Sequence, residues 1–281
     1  SGRNAVRDRV RLGDLDAADV EWFAARSDLE LTPEHYADDG ISCHLDVNDD
    51  LLSLLGFYLA EGSCSDRNGI RLTIGRSNRP LAEEMAARMG RVFGHAPNLY
   101  ESAGRAAELK LVNRVAAAAW QAVFGFHGAE SHTKRIPDLV FNVPVALRLA
   151  FLRGFLRGDG TVAAGRVAFA TSSYDLASGL LYLLSSLGVV ASLTRHEPDG
   201  HVRQIRGRPC VTRHPHWQIT VSAAEDLRLL EAAWADHPAA AGIREHVDRV
   251  GATVHRRVHD NAGDLMALPE LTIEEVATTH R

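Results

Sequence analysis

Two segments of this 281-residue chain end in almost the same way. Residues 54–62 read LLGFYLAEG and residues 152–160 read LRGFLRGDG, so the phenylalanine, the acid and both glycines coincide at a constant offset of 98 residues. Each segment is apolar enough to be helical and carries one carboxylate in its last turn. The pair predicts a duplicated fold in which each half supplies one acidic residue.

Small residues at helical spacing indicate how the two segments pack. Gly56 and Ala60 are four residues apart, as are Gly154 and Gly158, so each pair lies on one face of a helix. A glycine inside a soluble helix costs about 1 kcal/mol relative to alanine, which favours a packing reason for keeping it. We therefore expect the two helices to contact each other closely through these faces.

This packing would bring the two carboxylates together. Gly62 and Gly160 are predicted to be left-handed C-terminal caps, which places Glu61 and Asp159 at the negative ends of two neighbouring helix dipoles. Divalent cations would offset both unfavourable interactions, and hard oxygen ligands suit Mg²⁺. The alternative is that each acid is only a solvated residue at a helix end.

The order of predicted elements repeats as well. Each half is predicted to run helix, two strands, helix, two strands, helix, which gives an α+β fold of two pseudo-symmetric αββαββα repeats. An offset of 110 residues late in the repeats, against 98 at their start, places a 12-residue insertion in the loop 196–214. The predicted segments are an acidic N-terminal accessory segment 1–48, repeat 1 at 49–143, repeat 2 at 144–245 and a C-terminal extension 246–281.

The paired segments resemble the signature helices of LAGLIDADG homing endonucleases, in the single-chain two-repeat form found in archaeal inteins. The flanking sequence is similar too: residues 131–141, SHTKRIPDLVF, resemble the lysine-containing stretch before the second signature helix, and residues 170–189 resemble the stretch after it. The resemblance covers roughly residues 49–245.

The resemblance implies a site-specific DNA endonuclease that acts as a monomer. It would cut both strands of a long asymmetric duplex site across the minor groove, using Mg²⁺ with Mn²⁺ as a possible substitute, on antiparallel sheets that form a DNA-binding saddle. Its metal site would be Glu61 and Asp159 with the preceding Ala60 and Gly158. The two acids would be catalytic together with Lys134, and the offset of 110 adds Arg244 as the counterpart of Lys134.

The charge distribution is compatible with this reading. The net charge is −5, but residues 1–50 hold 5 basic and 13 acidic side chains, whereas residues 51–250 hold 23 basic and 18 acidic ones. The matched region is thus locally basic. Cations in predicted hairpins and strand ends are the candidate DNA contacts, although each alone could be a solvated surface residue: Arg67, Arg71, Arg76, Arg79, Arg105, Lys110, Arg166, Arg195, Arg203, Arg206, Arg208 and Arg213.

Other features of the sequence bear on alternative functions. No apolar run approaches membrane-spanning length, and three cysteines without metal-finger spacing predict a cytoplasmic protein. A histidine-rich loop could instead hold zinc through His196, His201, Cys210, His214 and His216. A non-cleaving DNA-binding regulator or a maturase on the same fold is the other alternative. Protein splicing is not expected, because the terminal sequences typical of a complete intein are missing.

Overall fold

The computed structural model describes residues 10–33, 40–75, 78–102, 106–128, 130–163, 165–198, 200, 202–205, 208–211 and 214–250. After a short 3₁₀ turn, the elements are α1 (Ala17–Ala24), β1 (Glu30–Leu31), β2 (Ile41–Ser42), α2 (Asp49–Glu61), β3 (Gly62–Ser65), β4 (Gly69–Ile74), α3 (Arg79–Phe93), β5 (Asn98–Tyr100), β6 (Ala107–Leu111), α4 (Arg114–Phe124), α5 (Asp138–Phe141), α6 (Val145–Asp159), β7 (Gly160–Ala163), β8 (Arg166–Thr171), α7 (Tyr174–Ser186), β9 (Ser192–His196), β10 (Val202–Ile205), β11 (Arg208–Val211), β12 (His216–Val221), α8 (Ala224–Leu229) and α9 (Glu231–Trp234). Residues 240–250 are also helical.

Two four-stranded antiparallel sheets confirm the predicted α+β fold with two related halves. The first sheet has the order β3-β4-β6-β5 and the second has the order β7-β8-β12-β9, which is the same arrangement of corresponding strands. The hairpin β10–β11 occupies the predicted insertion and forms a separate two-stranded sheet. Apolar side chains alternate along β4, where Ile70, Leu72 and Ile74 are buried, so one face of the sheet packs on the core.

Helices α2 and α6 join the halves through the predicted glycines. A Cβ on Gly56 would lie 2.0 Å from the Phe151 carbonyl oxygen, and a Cβ on Gly154 would lie 2.0 Å from the Ser53 carbonyl oxygen. The two contacts are equivalent, since residues 53 and 151 are also related by the offset of 98. Both helices are buried along this seam, and the glycines are required because backbone meets backbone there.

Ion pairs reinforce the seam at the start of α2. Arg153 on α6 pairs with Asp49 and donates to the Ser53 hydroxyl at 3.1 Å. Arg157, one helical turn later, pairs with Glu84 of α3 at 3.1 Å. Both arginines are mostly buried, with side chains 19% and 16% exposed, whereas their partners Asp49 and Glu84 are 52% and 35% exposed, so these ion pairs are only partly shielded from bulk solvent.

Two local predictions are wrong. Gly62 and Gly160 are not left-handed caps, because their φ values are −99° and −92° and the chain passes directly into an extended strand. Glycine is still needed, since a Cβ at Gly62 would lie 2.2 Å from the Tyr58 ring and one at Gly160 would lie 2.4 Å from Leu156 Cα. The helix predicted over 224–234 is divided in two at Leu230.

The predicted segment boundaries at 48, 143 and 245 stay predictions. Ile41 in the N-terminal segment is buried in the core, and the His95 Nε2 lies 2.5 Å from the Gly40 carbonyl oxygen. The boundary at 245 falls inside the helical residues 240–250, of which Ile243 and Val247 are both buried. None of the helices in the described ranges is long and apolar enough to cross a membrane.

Candidate metal and nucleic-acid site

Each candidate carboxylate is the last residue of its helix. Glu61 ends α2 and Asp159 ends α6, and the next residue, a glycine, begins a strand in each case. A Cβ on Gly158 would lie 2.5 Å from the Ala60 Cβ and 3.0 Å from the Glu61 Cγ, so the two helix ends are in contact. Glu61 is half-buried and Asp159 is exposed, which leaves the pair accessible from one side.

The electrostatics of the pair are unfavourable without a cation. Burial and, to a smaller extent, the neighbouring Asp159 raise the pKa of Glu61 to about 7, although Lys134 acts in the opposite direction. Desolvation by the surrounding protein likewise raises the pKa of Asp159 to about 6, although the residue opens to solvent. Two acids whose charged forms are destabilised in this way are suited to binding a divalent cation.

Lys134 holds the end of α2. Its ammonium donates to the carbonyl oxygens of Tyr58 and Leu59, both at 3.0 Å, and of Gly62 at 2.8 Å. The residue is 6% exposed, and burial lowers its pKa to about 8 despite the nearby acids. Because its three protons are directed at carbonyls, Lys134 caps the helix dipole beside Glu61 and donates to neither carboxylate.

Ser173 supports Lys134 and was missed by the sequence analysis. Its hydroxyl donates to the Lys134 carbonyl oxygen at 2.6 Å and accepts from the amide of Leu176 at 3.2 Å. Ser173 is fully buried and is the N-cap of α7, so it fixes the lysine backbone to the second half. The helix-capping position was readable in the sequence, but the contact across the halves was not.

Arg244 does not occupy the place predicted for it. Its guanidinium donates to the Ala235 carbonyl oxygen at 2.9 Å and lies over the Trp234 ring, and it pairs with neither carboxylate in the part of the chain that the structure describes. The offset of 110 fails here because the segment after α9 forms its own helix. The prediction that Arg244 is the counterpart of Lys134 is therefore wrong.

The carboxylate pair has few protein ligands around it. Among the described residues, no group of three or more histidine, cysteine, aspartate or glutamate side chains could hold a metal ion. Glu61 and Asp159 would thus share a cation with backbone carbonyls, water or a ligand, an arrangement typical of Mg²⁺. The zinc alternative stays a prediction, because His201 and the Cys210 side chain lie outside the described parts, while His196 and His216 stack at 4.7 Å.

The open face of the first sheet carries a cationic row. Ser63, Arg71, Lys110 and Asn98 are paired side by side across four strands. Arg71 and Lys110 alternate with the buried residues of β4 and β6, so this row points away from the core. The Arg71 Nε donates to the Ser63 hydroxyl at 3.0 Å, and Lys110 pairs with Glu108 at 2.7 Å.

The corresponding row of the second sheet is neutral. Thr161, Ala168, Thr220 and Ser192 are paired across its four strands in the same order. The position of Arg71 is thus taken by alanine and that of Lys110 by threonine. Arg166 is exposed at the first position of β8.

Arg195 faces the wrong way for the predicted role. It is paired with Trp217 across β9 and β12, and Trp217 contacts Tyr174 of α7 with ring centroids 5.6 Å apart. Arg195 therefore lies on the helical side of the sheet, where it pairs with Glu197 at 2.9 Å. The alternation of the strand therefore directs this candidate DNA contact away from the open face.

The other candidate cations have mixed placements. Arg67 lies exposed in the turn between β3 and β4. Arg79 begins α3 and pairs with Glu83 at 3.0 Å. The remaining candidates lie outside the described residues or have side chains that lie outside them: Arg76, Arg105, Arg203, Arg206, Arg208 and Arg213.

Comparison with known families supports the resemblance seen in the paired helices. Residues 146–232 match the family described as LAGLIDADG-like domain. The chain is 29% identical over 197 residues to a DNA polymerase from Thermococcus hydrothermalis, covering 63% of this chain and 11% of that protein. It is 28% identical over 213 residues to the ATP-dependent DNA helicase Hel308 from Thermococcus kodakarensis, covering 73% of this chain and 18% of that protein. The chain thus spans less than a fifth of these relatives.

Solved structures are similar at low sequence identity. The homing endonuclease I-DmoI in complex with DNA and Mn has a TM-score of 0.47 and 13% identity, covering 68% of this chain and 99% of that one. Full-length DUF199/WhiA from Thermatoga maritima has a TM-score of 0.46 and 14% identity, covering 79% and 68%. The family match lies within the second half of this chain, and the first half repeats the order of elements seen there.

Proposed function

We propose that this chain, with its LAGLIDADG-like domain, is a divalent-metal-dependent endonuclease that cuts both strands of a specific duplex DNA site. The observation that carries the proposal is the contact of two helix ends, each finishing in a carboxylate whose pKa is raised, at the junction of two antiparallel sheets. A pair of closely set acids is the protein contribution that metal-assisted phosphodiester hydrolysis requires.

Glu61 and Asp159, with the carbonyl groups of Ala60 and Gly158, would hold the cations. Bound Mg²⁺ or Mn²⁺ would supply an activated water and neutralise charge on the phosphate. The acids need no change of position to serve, because each is fixed at the end of a buried helix. Their raised pKa values mean that cations compete with protons near neutral pH, and we expect activity to rise as the acids ionise.

Lys134 contributes as a fixed positive charge beside the two acids. Its contacts with three carbonyl oxygens position the last turn of α2 and hence Glu61. The charge lowers the pKa values of both carboxylates, against the effect of burial. We assign it to positioning and to electrostatic support of the site, in place of direct contact with the phosphate.

The open faces of the sheets are the proposed DNA surface. Arg71 and Lys110 on the first sheet would contact phosphates or guanine edges, while hydroxyl groups on the second sheet would reach base edges. Because the corresponding rows of the two open faces differ in charge, we expect an asymmetric site. Monomeric action follows from having both halves in one chain.

A cleavage selection tests the proposal. Purified chain is incubated with a library of randomised duplexes in Mg²⁺, and the cut ends are sequenced. We expect one long asymmetric site cut in both strands, no cutting with EDTA, and restored cutting with Mn²⁺. Asp159→Asn and Glu61→Gln should each abolish cutting but leave duplex binding, measured by anisotropy with Ca²⁺, within about threefold.

A control variant and the behaviour of the wild-type chain distinguish a nuclease from a non-cleaving DNA-binding protein. Asp236→Asn removes an exposed acid that lies outside the pair and should cut like the wild-type chain. Sequence-specific binding by the wild-type chain, with no cutting in Mg²⁺ or Mn²⁺, would support the non-cleaving DNA-binding regulator and reject the nuclease.

A further inference from the structure

A cavity lies on the outer side of the first half, away from the open face of the sheet. It has a volume of about 710 Å³ and is bounded by the β3–β4 turn, one face of α4 and the loop that follows α4. Asp66 and Arg67 come from the turn, Arg114 comes from the first turn of α4 and His127 comes from the loop. Neither the metal site nor the cationic row uses this cavity.

A buried amide organises the cavity wall. Gln121 is 6% exposed, and its Nε2 donates to the Cys64 Sγ at 3.3 Å and to the Asp66 Oδ1 at 3.4 Å. Its Oε1 lies 3.0 Å from the His127 Nδ1, so the histidine donates its Nδ1 proton and keeps Nε2 for another partner. The network fixes Asp66 and His127 on opposite sides of Gln121. The wall is therefore ordered by a polar side chain inside the protein.

Two cations in the cavity have no partner among the residues that the structure describes. Neither Arg67 nor Arg114 makes a hydrogen bond or an ion pair with any residue in the described ranges, in contrast to Arg71, Arg79 and Arg88, which all do. Two arginines against one aspartate leave the cavity with a net positive charge. Arginine forks match the paired oxygens of a phosphate group.

Small side chains leave room for a ligand. Ala118 and Ala122 lie one turn apart on the face of α4 that also carries Arg114, so they form a shallow floor between the cations. Asp66 at the rim disfavours a dianion. A singly charged phosphodiester fits this charge balance better than a phosphate monoester does.

The second half does not repeat the cavity. The offsets relate Arg67 to Gly165 and Arg114 to Ala224, so both cations are missing there. A Cβ on Gly165 would lie 3.0 Å from the His246 ring, which covers the corresponding turn. The cationic cavity is therefore a feature of the first half that the shared fold does not require.

We propose that this cavity binds a backbone phosphate of duplex DNA beyond the sheet face, through Arg67 and Arg114, with the His127 Nε2 as a third donor when the ring carries both protons. The proposal rests on the proposed DNA-binding function and extends the contact surface of the first half around its outer edge. Gln121 is a positioning residue, since it is hydrogen-bonded to both His127 and Asp66.

Salt dependence of binding tests the proposal. Affinity for a fluorescent duplex, longer than the molecule, is measured by anisotropy in Ca²⁺ over a range of KCl concentrations. Each lost phosphate contact should reduce the slope of log affinity against log salt by about 0.9. We expect Arg114→Ala to show this reduction and to weaken binding roughly 3- to 10-fold at low salt. The double variant Arg67→Ala/Arg114→Ala should reduce the slope by no more than twice the amount that Arg114→Ala does.

Two controls make the result specific. Arg26→Ala removes one exposed charge from the N-terminal segment, where Arg26 pairs with Asp28, and should leave the slope unchanged. Gln121→Met keeps both arginines but frees His127 and should weaken binding less than Arg114→Ala does. Melting temperatures of all variants identify any that fail to fold. Arg114→Lys keeps a positive charge and should retain most of the salt slope that Arg114→Ala loses.

The outcomes separate this proposal from the function on which it rests. A wild-type chain that does not bind duplex DNA would reject both. Equal slopes for the wild-type chain and Arg114→Ala, with DNA binding intact, would reject the cavity alone. If dimethyl phosphate or inorganic phosphate shifts the NMR signals of His127 while the DNA slopes stay equal, the cavity binds a small anion and the DNA assignment is wrong.

Discussion

At the scale of single residues, the seam between α2 and α6 depends on glycine. Gly56→Ala would add a methyl group 2.0 Å from a carbonyl oxygen of the other helix. The gain in helix propensity, about 1 kcal/mol, is smaller than the cost of forcing two backbones apart. We expect Gly56→Ala to lower the unfolding free energy by about 2 kcal/mol or more, measured by urea denaturation.

Gly90 provides the matched control for this prediction. It lies inside α3, and a Cβ there would meet nothing within 4 Å. Gly90→Ala should therefore stabilise the protein by about 0.5–1 kcal/mol. Equal effects of the two substitutions would mean that the helices do not approach as closely as the structure shows.

The carboxylate pair makes the metal-free protein sensitive to pH. The folded pKa of Glu61, about 7, is higher than its ordinary value of 4.5, so the stability it contributes is present below pH 4.5 and is lost as pH rises through about 7. Asp159 acts in the same direction, over a range that ends near pH 6. In EDTA, unfolding free energy should fall between about pH 4.5 and 7, and Glu61→Gln should remove most of that fall.

Adding metal tests the same site from the other side. If cations bind the ionised pair, Mg²⁺ should raise the melting temperature more at about pH 8 than at about pH 5. Lys134 has the opposite effect on stability. Its pKa falls from an ordinary value of 10.5 to about 8, so its contribution to the unfolding free energy rises between about pH 8 and 10.5. A pH profile that is identical in the wild-type chain and in Glu61→Gln would contradict the assignment.

The sequence was sufficient to predict that the two acids lie at the ends of paired helices beside close-packed glycines, because the same residues recur at a constant offset. Lys134 was predicted from the family resemblance, but its burial and its three carbonyl partners were not, because they depend on contacts 72 to 76 residues away. Arg244 failed for a related reason: a constant offset transfers position along the chain but not the path of the segment after α9.

At the scale of elements, the two open sheet faces differ in charge at corresponding rows. Removing Arg71 and Lys110 together should weaken duplex binding and reduce the salt slope by about 2, since both face solvent beside each other. Thr220→Ala, at the position that corresponds to Lys110, should leave the slope unchanged. Anisotropy at several salt concentrations measures both, and equal slopes in all three proteins would reject the first sheet as a phosphate-binding surface.

The elements themselves were mostly predictable. The order of helices and strands in each half follows the predicted repeat, and α2 and α6 carry the predicted acids in their last turns. The face of an edge strand was harder, because Arg195 is solvent-exposed on the helical side and only the pairing with Trp217 reveals it. The glycines after the acids signalled a helix end, but a direct change from helix to strand leaves the same signal as a left-handed cap.

At the scale of the whole molecule, the halves are joined by the buried seam and by ion pairs at its edge. Arg153→Ala would leave Asp49 with one arginine partner, Arg88, and would remove a donor from the Ser53 hydroxyl. We expect a loss of about 1–3 kcal/mol of unfolding free energy. The exposed Arg79, which pairs with Glu83, is the control and should change stability by less than about 0.5 kcal/mol when replaced by alanine.

High salt sharpens this test. Part of the loss caused by Arg153→Ala should persist at high ionic strength, because Arg153 is only 19% exposed and also donates to the Ser53 hydroxyl, although Asp49 is 52% exposed. A loss that disappears in salt would show that the contact is a surface ion pair. The two-fold arrangement of the halves was predictable from the repeat, but this cross-link was not, since neither Arg153 nor Asp49 has a counterpart pair in the other half.

The direct passage from acid to strand has one more consequence. Glu61 and Asp159 are each followed at once by the first residue of an edge strand, with no connecting loop. Any shift of a sheet must therefore move the carboxylate that precedes its first strand by a similar amount. Substitutions on the open faces that preserve the strand backbone would therefore change the contacts of the sheet with a ligand and leave the positions of the two acids unchanged.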